Sequence, residues 1–151
     1  MLNNKTLVIS AFPAVGKSYL FDNAEELGIV VYDSDSSTFD KKDFPTNYIE
    51  HIQNLIDDSE KKIVMVSSHE EVREALIENS IAFTLVYPSI ELKEEFLTRY
   101  KDRGSEQSFI DMMEDNFDSF VESCQEHGDI DGVNAIEITE PNTYLSDILD
   151  I

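Results

Sequence analysis

Three groups of residues in this chain have the types and spacing to do chemistry. The first is Ala14-Val15-Gly16-Lys17-Ser18, which closes the pattern G-x-x-x-x-G-K-[ST] of a phosphate-binding loop. Such a loop holds an anion with convergent backbone N–H groups where a strand runs into a helix. Gly16 permits close backbone approach, Lys17 reaches the β- and γ-phosphates, and the Ser18 hydroxyl offers an oxygen ligand to Mg²⁺. The bland alternative is an ordinary tight strand-to-helix turn. The second group is the carboxylate pair Asp33 and Asp35 in "VVYDSDSS". Two residues apart at a strand end, they point the same way. Phosphoryl transfer to a hydroxyl needs a metal with acidic support and a group that orients the acceptor, and two carboxylates can supply both. A solvated Asp/Ser turn is the alternative. The third group is Arg99, Lys101 and Arg103 in "LTRYKDRG", which either face an anion or neutralise a helix C-terminus.

The loop carries two departures, Ala11 and Ala14. Ala11 stands where the pattern has its first glycine. An alanine there costs little in a strand conformation, and a penalty if the loop requires positive φ. The same question applies to Ala14.

Composition narrows the partners. Lys and Arg total 11 against 32 Asp and Glu, a net charge of −21, which argues against a grip on duplex nucleic acid. No Lys or Arg follows Arg103, so the last third of the chain is acidic. That charge serves solubility or engages a basic protein partner. No apolar run approaches the roughly 20 residues of a membrane span, and with "MLNNKTLVIS" running straight into a strand-like segment no signal peptide is expected. The lone Cys124 forms no internal disulfide, so the expected compartment is the reducing cytoplasm, with Cys124 a buried small hydrophobe. His51 and His127 have no ligand-like companions in sequence.

The elements that must position these groups alternate between strand-like runs and helical periodicity. Strands are expected at "TLVISAF" (6–12), "IVVYDSD" (29–35), "KIVMVSS" (62–68), "IAFTLVYPS" (81–89) and "VNAIEIT" (133–139). Helices are expected at "KSYLFDNAEEL", stopped by Gly28, and at "NYIEHIQNLI", with Ile49, Ile52, Leu55 and Ile56 on one face and Pro45 at its start. Further helices follow at "EEVREALIENS", "ELKEEFLTRYKDRG", a long segment from Ser105 to Gly128 with Ser105 or Ser108 as cap, and "NTYLSDIL". One α/β domain over residues 1–151 with a doubly wound, parallel, five-stranded sheet accounts for this series.

"GKS" followed by strand-end "YDSD" resembles the small P-loop kinases, the group of shikimate, gluconate and nucleoside monophosphate kinases. The longer stretches 10–19, 33–37, 44–52, 66–76 and 84–88 resemble phage and prophage P-loop proteins of nucleotide-kinase type, which often carry "PGxGK[ST]" where this chain has "PAVGKS". The resemblance implies a P-loop NTPase fold, ATP with Mg²⁺ as cofactors, Asp33 supporting the metal and Asp35 binding the acceptor hydroxyl. It also implies a small lid near residues 99–108 whose Arg99 and Arg103 clamp the transferring phosphoryl group, with Gly104 a hinge or a helix cap. The third strand ends in Ser67, Ser68 and His69 where a Walker B site has an Asp, and no glycine-rich shikimate turn is present. His69 lines an acceptor pocket or caps a helix; Arg73 binds acceptor phosphate or pairs on the surface with Glu70 or Glu74. The expectation is an ATP-dependent phosphotransferase acting on a nucleoside, nucleotide or modified-base hydroxyl. The alternative is a degenerate nucleotide-binding protein that works through its acidic surface.

Overall fold

The structure, a computed structural model, describes residues 6–27, 30–33, 42–57 and 62–149. β1 (Thr6–Ala11) is the central strand of a five-stranded sheet in the order β2-β3-β1-β4-β5, with β2 (Val31–Asp33), β3 (Lys62–Val66), β4 (Phe83–Pro88) and β5 (Val133–Ile138). Every pairing is parallel; Ile9 lies between Met65 of β3 and Thr84 of β4. The inner strands are near-continuous apolar runs because both faces of a parallel sheet are covered. Val8, Ile9, Val64, Met65, Leu85 and Val86 are accordingly buried.

Seven α-helices lie among the described residues: α1 (Lys17–Asp22), α2 (Ala24–Leu27), α3 (Thr46–Asp57), α4 (Glu70–Glu78), α5 (Lys93–Asp102), α6 (Gln107–His127) and α7 (Leu145–Leu149). They fall into two packed groups. α1 touches α2 and α7, whereas α3 packs on α4, α4 on α6 and α6 on α5. Two separate groups are what right-handed crossovers require when β1 leads to one edge of the sheet and the later strands return across it. The architecture is therefore α/β and consistent with a doubly wound fold. Its strand order is compatible with a P-loop NTPase-like fold. None of these helices is long and apolar enough to cross a membrane.

Several boundaries differ from the sequence expectation. The helix expected from Lys17 to Leu27 breaks at Asn23, whose side-chain amide donates to the Tyr19 carbonyl at 2.8 Å. A side chain that competes for a helix carbonyl favours a stop there. α6 starts after Glu106, and neither Ser105 nor Ser108 caps it. Ser105 Oγ instead accepts from Arg103 Nε at 3.0 Å. α5 is preceded by a 3₁₀ turn (Ile90–Leu92) capped by Ser89, whose Oγ accepts from the Glu91 N–H at 3.2 Å. In α3, Ile49 and Ile52 are buried as their spacing predicts, and Leu55 and Ile56 are half-buried against the same core. Tyr48, off that expected stripe, is fully buried as well.

Phe12 joins the core to the first loop. Its ring lies 5.5 Å from that of Phe117 and 6.3 Å from that of Phe96, both edge-on. Its N–H donates to the Val86 carbonyl at 2.9 Å, which extends the β1–β4 ladder by one bond past the strand. The loop thus leaves from a fixed point beside the central strand, at the carboxyl end where such sheets bind ligands.

Candidate functional site

Residues 12–16 turn from β1 into α1. Ala11, in place of the pattern's first glycine, belongs to β1 and is fully buried, so its alanine is conformationally harmless. Ala14 is different: its φ is 70°, in the left-handed region. Holding an alanine there costs on the order of 1–2 kcal/mol. Gly16, at φ 109°, takes the N-cap position of α1. A Cβ at Gly16 would come within 3.4 Å of Leu145 N and Tyr144 Cβ, so glycine serves here both in conformation and in space.

Two carbonyls of the loop are held from outside it. The Ala14 carbonyl accepts from Arg99 Nη1 at 2.8 Å. The Val15 carbonyl accepts from the Leu145 N–H at 2.8 Å. In a trans peptide the C=O and N–H point in opposite directions. Fixing the Val15 carbonyl on Leu145 therefore directs the Gly16 N–H away from Leu145. The preceding N–H, of Val15, is used within the loop, donating to the Phe12 carbonyl at 3.3 Å.

Arg99 is buried, and its guanidinium is heavily engaged. Nη2 donates to Glu95 Oε2 at 2.6 Å and to the Thr143 carbonyl at 2.9 Å. The guanidinium carbon sits 4.3 Å from the Phe96 ring centroid and 4.0 Å from that of Tyr144. Such cation–π contacts strengthen when water is excluded. Nε is buried with no partner among the described residues, a cost of about 1–3 kcal/mol that these contacts offset. Glu95 Oε2 also accepts the Asn142 N–H at 3.0 Å, so one ion pair joins α5, the loop and the segment after β5.

In front of the loop opens a cleft of about 390 Å³ lined by Ala14, Gly16, Lys17, Arg99, Asp102, Arg103 and Tyr144. Three of the chain's 11 Lys and Arg residues meet here against one acid, in a molecule of net charge −21. Lys17 opens α1. Arg103 directly follows α5 and is exposed, with its guanidinium 5.4 Å from the Tyr100 ring centroid and 5.8 Å from that of Phe109. Burial pushes the Tyr100 phenol well above its ordinary value, and the nearby Arg103 and Arg99 only partly oppose this, so it stays protonated.

The connection from α5 to α6 is a short capped turn. The Gly104 N–H donates to the Lys101 carbonyl and the Ser105 N–H to the Tyr100 carbonyl, both at 3.0 Å, with Gly104 at φ 82°. That is a Schellman motif, so Gly104 acts as the helix cap. Lys101 is exposed on the last turn of α5 and does not line the cleft.

Asp33 ends β2, in register with Met65 of β3. The side chains of Asp33 and Ser18, and all of Asp35, lie outside the described residues. His69 is exposed at the N-cap of α4 and makes no side-chain capping bond.

Arg73 is neither on the surface nor at the cleft. It is buried, and Nε donates to the Ser68 carbonyl at 2.9 Å. Nη1 donates to the Ser123 carbonyl at 3.1 Å, Nη2 to Ser123 Oγ at 3.0 Å, and Nη1 meets His127 Nδ1 at 2.6 Å. A guanidinium has no acceptor, so Nδ1 must accept and the imidazole proton sits on Nε2. Glu70, Glu74 and His127 come close enough to surround an ion. Metal-binding imidazoles instead donate through their second nitrogen, and Arg73 blocks that arrangement here. Sequence reading missed this pairing, because Arg73 and His127 are 54 residues apart. Cys124, nearby, is buried, and burial raises its thiol pKa.

Comparison of the chain with protein-family models and with curated proteins returned no match in either case.

Proposed function

We propose that the cleft holds the phosphates of a nucleotide and that the protein is an ATP-dependent, P-loop-type phosphotransferase of the cytoplasm. The acceptor in this reading is a hydroxyl of a nucleoside, nucleotide or modified base. The observation that carries the reading is the convergence of Lys17, Arg103 and the Ala14–Gly16 backbone on one cleft at the carboxyl end of the central strand. An anion in that cleft meets the cations of a protein whose remaining surface repels it. Lys17 would contact the outer phosphates and Arg103 would approach them from the α5 end. Mg²⁺, when bound, would neutralise charge between the phosphate oxygens. Ser18 and Asp33 would hold it, an all-oxygen donor pair of the kind this hard cation takes. Asp35 would orient the acceptor hydroxyl.

A second reading has its own support. Ala14 at φ 70° is a strained residue where the related loops have glycine, and α6 exposes Glu114, Asp118, Glu122 and Glu126. Both features suit a degenerate nucleotide-binding protein that acts by contact with a basic partner.

Thermal melting with millimolar ATP or GTP and Mg²⁺ tests the first reading, because a ligand that binds only the folded state raises the melting temperature by mass action. Lys17→Ala should abolish the rise. Asp35→Asn should lose phosphotransfer while keeping the rise, and Asp33→Asn should weaken its dependence on Mg²⁺. A wild-type protein that shows no shift with either nucleotide rules the kinase reading out.

A further inference from the structure

Arg99 stands in the cleft but does not offer its guanidinium to it as a free clamp. Nη1 is committed to the Ala14 carbonyl, and Nη2 to the Thr143 carbonyl and Glu95. The rings of Phe96 and Tyr144 also lie against the group, their centroids 4.3 and 4.0 Å from its carbon. The only acceptor of Nη1 among the described residues belongs to the one loop residue in an unfavourable backbone conformation, Ala14 at φ 70°.

We infer that Arg99 is a positioning residue for the phosphate loop: it pins the Ala14 carbonyl and so maintains the left-handed turn that an alanine would otherwise leave. An arginine suits this role where a lysine does not. Its planar fork reaches two carbonyls on different segments and a carboxylate at once, while an ammonium is a point donor on a flexible stem. Glycine adopts positive φ without the Cβ penalty, so a glycine loop would have little need of the clasp. The guanidinium and the alanine are therefore two halves of one device. The bond from Leu145 N–H to the Val15 carbonyl completes it from the same strap, residues 142–145.

The inference rests on the nucleotide-binding reading for its functional consequence, but not for its structural content, and the experiment has one arm for each. In the first arm, calorimetry with Mg-ATP compares wild type, Arg99→Gln, Arg99→Lys, and each of these combined with Ala14→Gly. Both single Arg99 variants should bind roughly tenfold or more weakly, the scale of one lost charged hydrogen bond. Ala14→Gly should restore most of that loss in both. An Arg99→Lys protein that binds like wild type, or a glycine that restores nothing, would show that Arg99 acts by charge on the phosphates and overturn the inference.

The second arm needs no nucleotide. In urea unfolding, Ala14→Gly should stabilise the wild-type background clearly more than either Arg99 variant. Without the guanidinium the loop relaxes, and there is less strain for glycine to relieve. Equal stabilisation in all backgrounds means that the two residues are not coupled, and it overturns the inference. If wild type fails to bind Mg-ATP, the nucleotide reading falls and the urea arm still decides this one. Should Arg99→Gln not fold, Arg99→Lys carries both arms.

Discussion

Arg99 Nη1 donates to the Ala14 carbonyl oxygen at 2.8 Å, across 85 residues of chain, and Ala14 is the loop residue at φ 70°. The first prediction comes from the strain on the alanine side of that bond. Ala14→Gly removes a left-handed Cβ cost of about 1–2 kcal/mol and returns some of it as unfolded-chain entropy, roughly 0.5–1 kcal/mol. The net stabilisation should be about 0.5–1 kcal/mol, raising the melting temperature by roughly 1–4 °C. A melt of the glycine variant at or below wild type would show that Ala14 is unstrained.

The Arg73–His127 contact makes stability depend on pH. Burial first, then the Arg73 charge, lower the His127 pKa below its ordinary 6.5, while Glu74, Glu70 and Glu126 pull weakly the other way. The unfolded chain thus takes up this proton more readily than the folded one. The contribution is complete above pH 6.5 and is lost as the pH falls from there through the lowered folded value. Protonation would also place a second positive charge 2.6 Å from Arg73 and remove its acceptor. His127→Gln should therefore flatten the pH dependence: between pH 7.5 and 5.5 the urea midpoint of wild type should fall further than that of the variant. Parallel declines would mean that His127 does not titrate in this window.

The exposed acids of α6 separate solubility from docking. Glu114, Asp118, Glu122 and Glu126 recur at every fourth residue, all exposed, with no Lys or Arg on the helix. Like charges at that spacing repel. Replacing the four with Gln or Asn should raise the melting temperature by roughly 2–4 °C and leave phosphotransfer unchanged. A variant that loses a specific, salt-sensitive basic partner in a pull-down would assign the stripe to docking instead.

Much of this architecture was legible in the sequence. Strand runs such as "TLVISA" and "FTLVYP" are apolar on both faces, and that pattern belongs to buried parallel strands whatever surrounds them. The spacing of Ile49 and Ile52 likewise declared the inner face of α3. Gly16 marked the turn from β1 into α1, because its positive φ and close packing favour a residue without a side chain. These features are local, and local preference acts through residues a few positions apart.

The rest required the tertiary structure. "TRYKDR" presents Arg99 and Arg103 as two similar cations on one helix end. Position on the helix makes the first a buried clasp on Ala14 and leaves the second exposed at the cleft. Arg73 reads as an acceptor-phosphate ligand or a surface partner of Glu70 or Glu74 until α6 packs across α4 and brings Ser123 and His127 against it. The conformation of Ala14 was equally hidden, since an alanine adopts positive φ only where contacts from distant segments outweigh its own preference. A long side chain's role depends on which carbonyls and rings come within its reach, and chain segments far apart in sequence supply them only after the sheet has assembled.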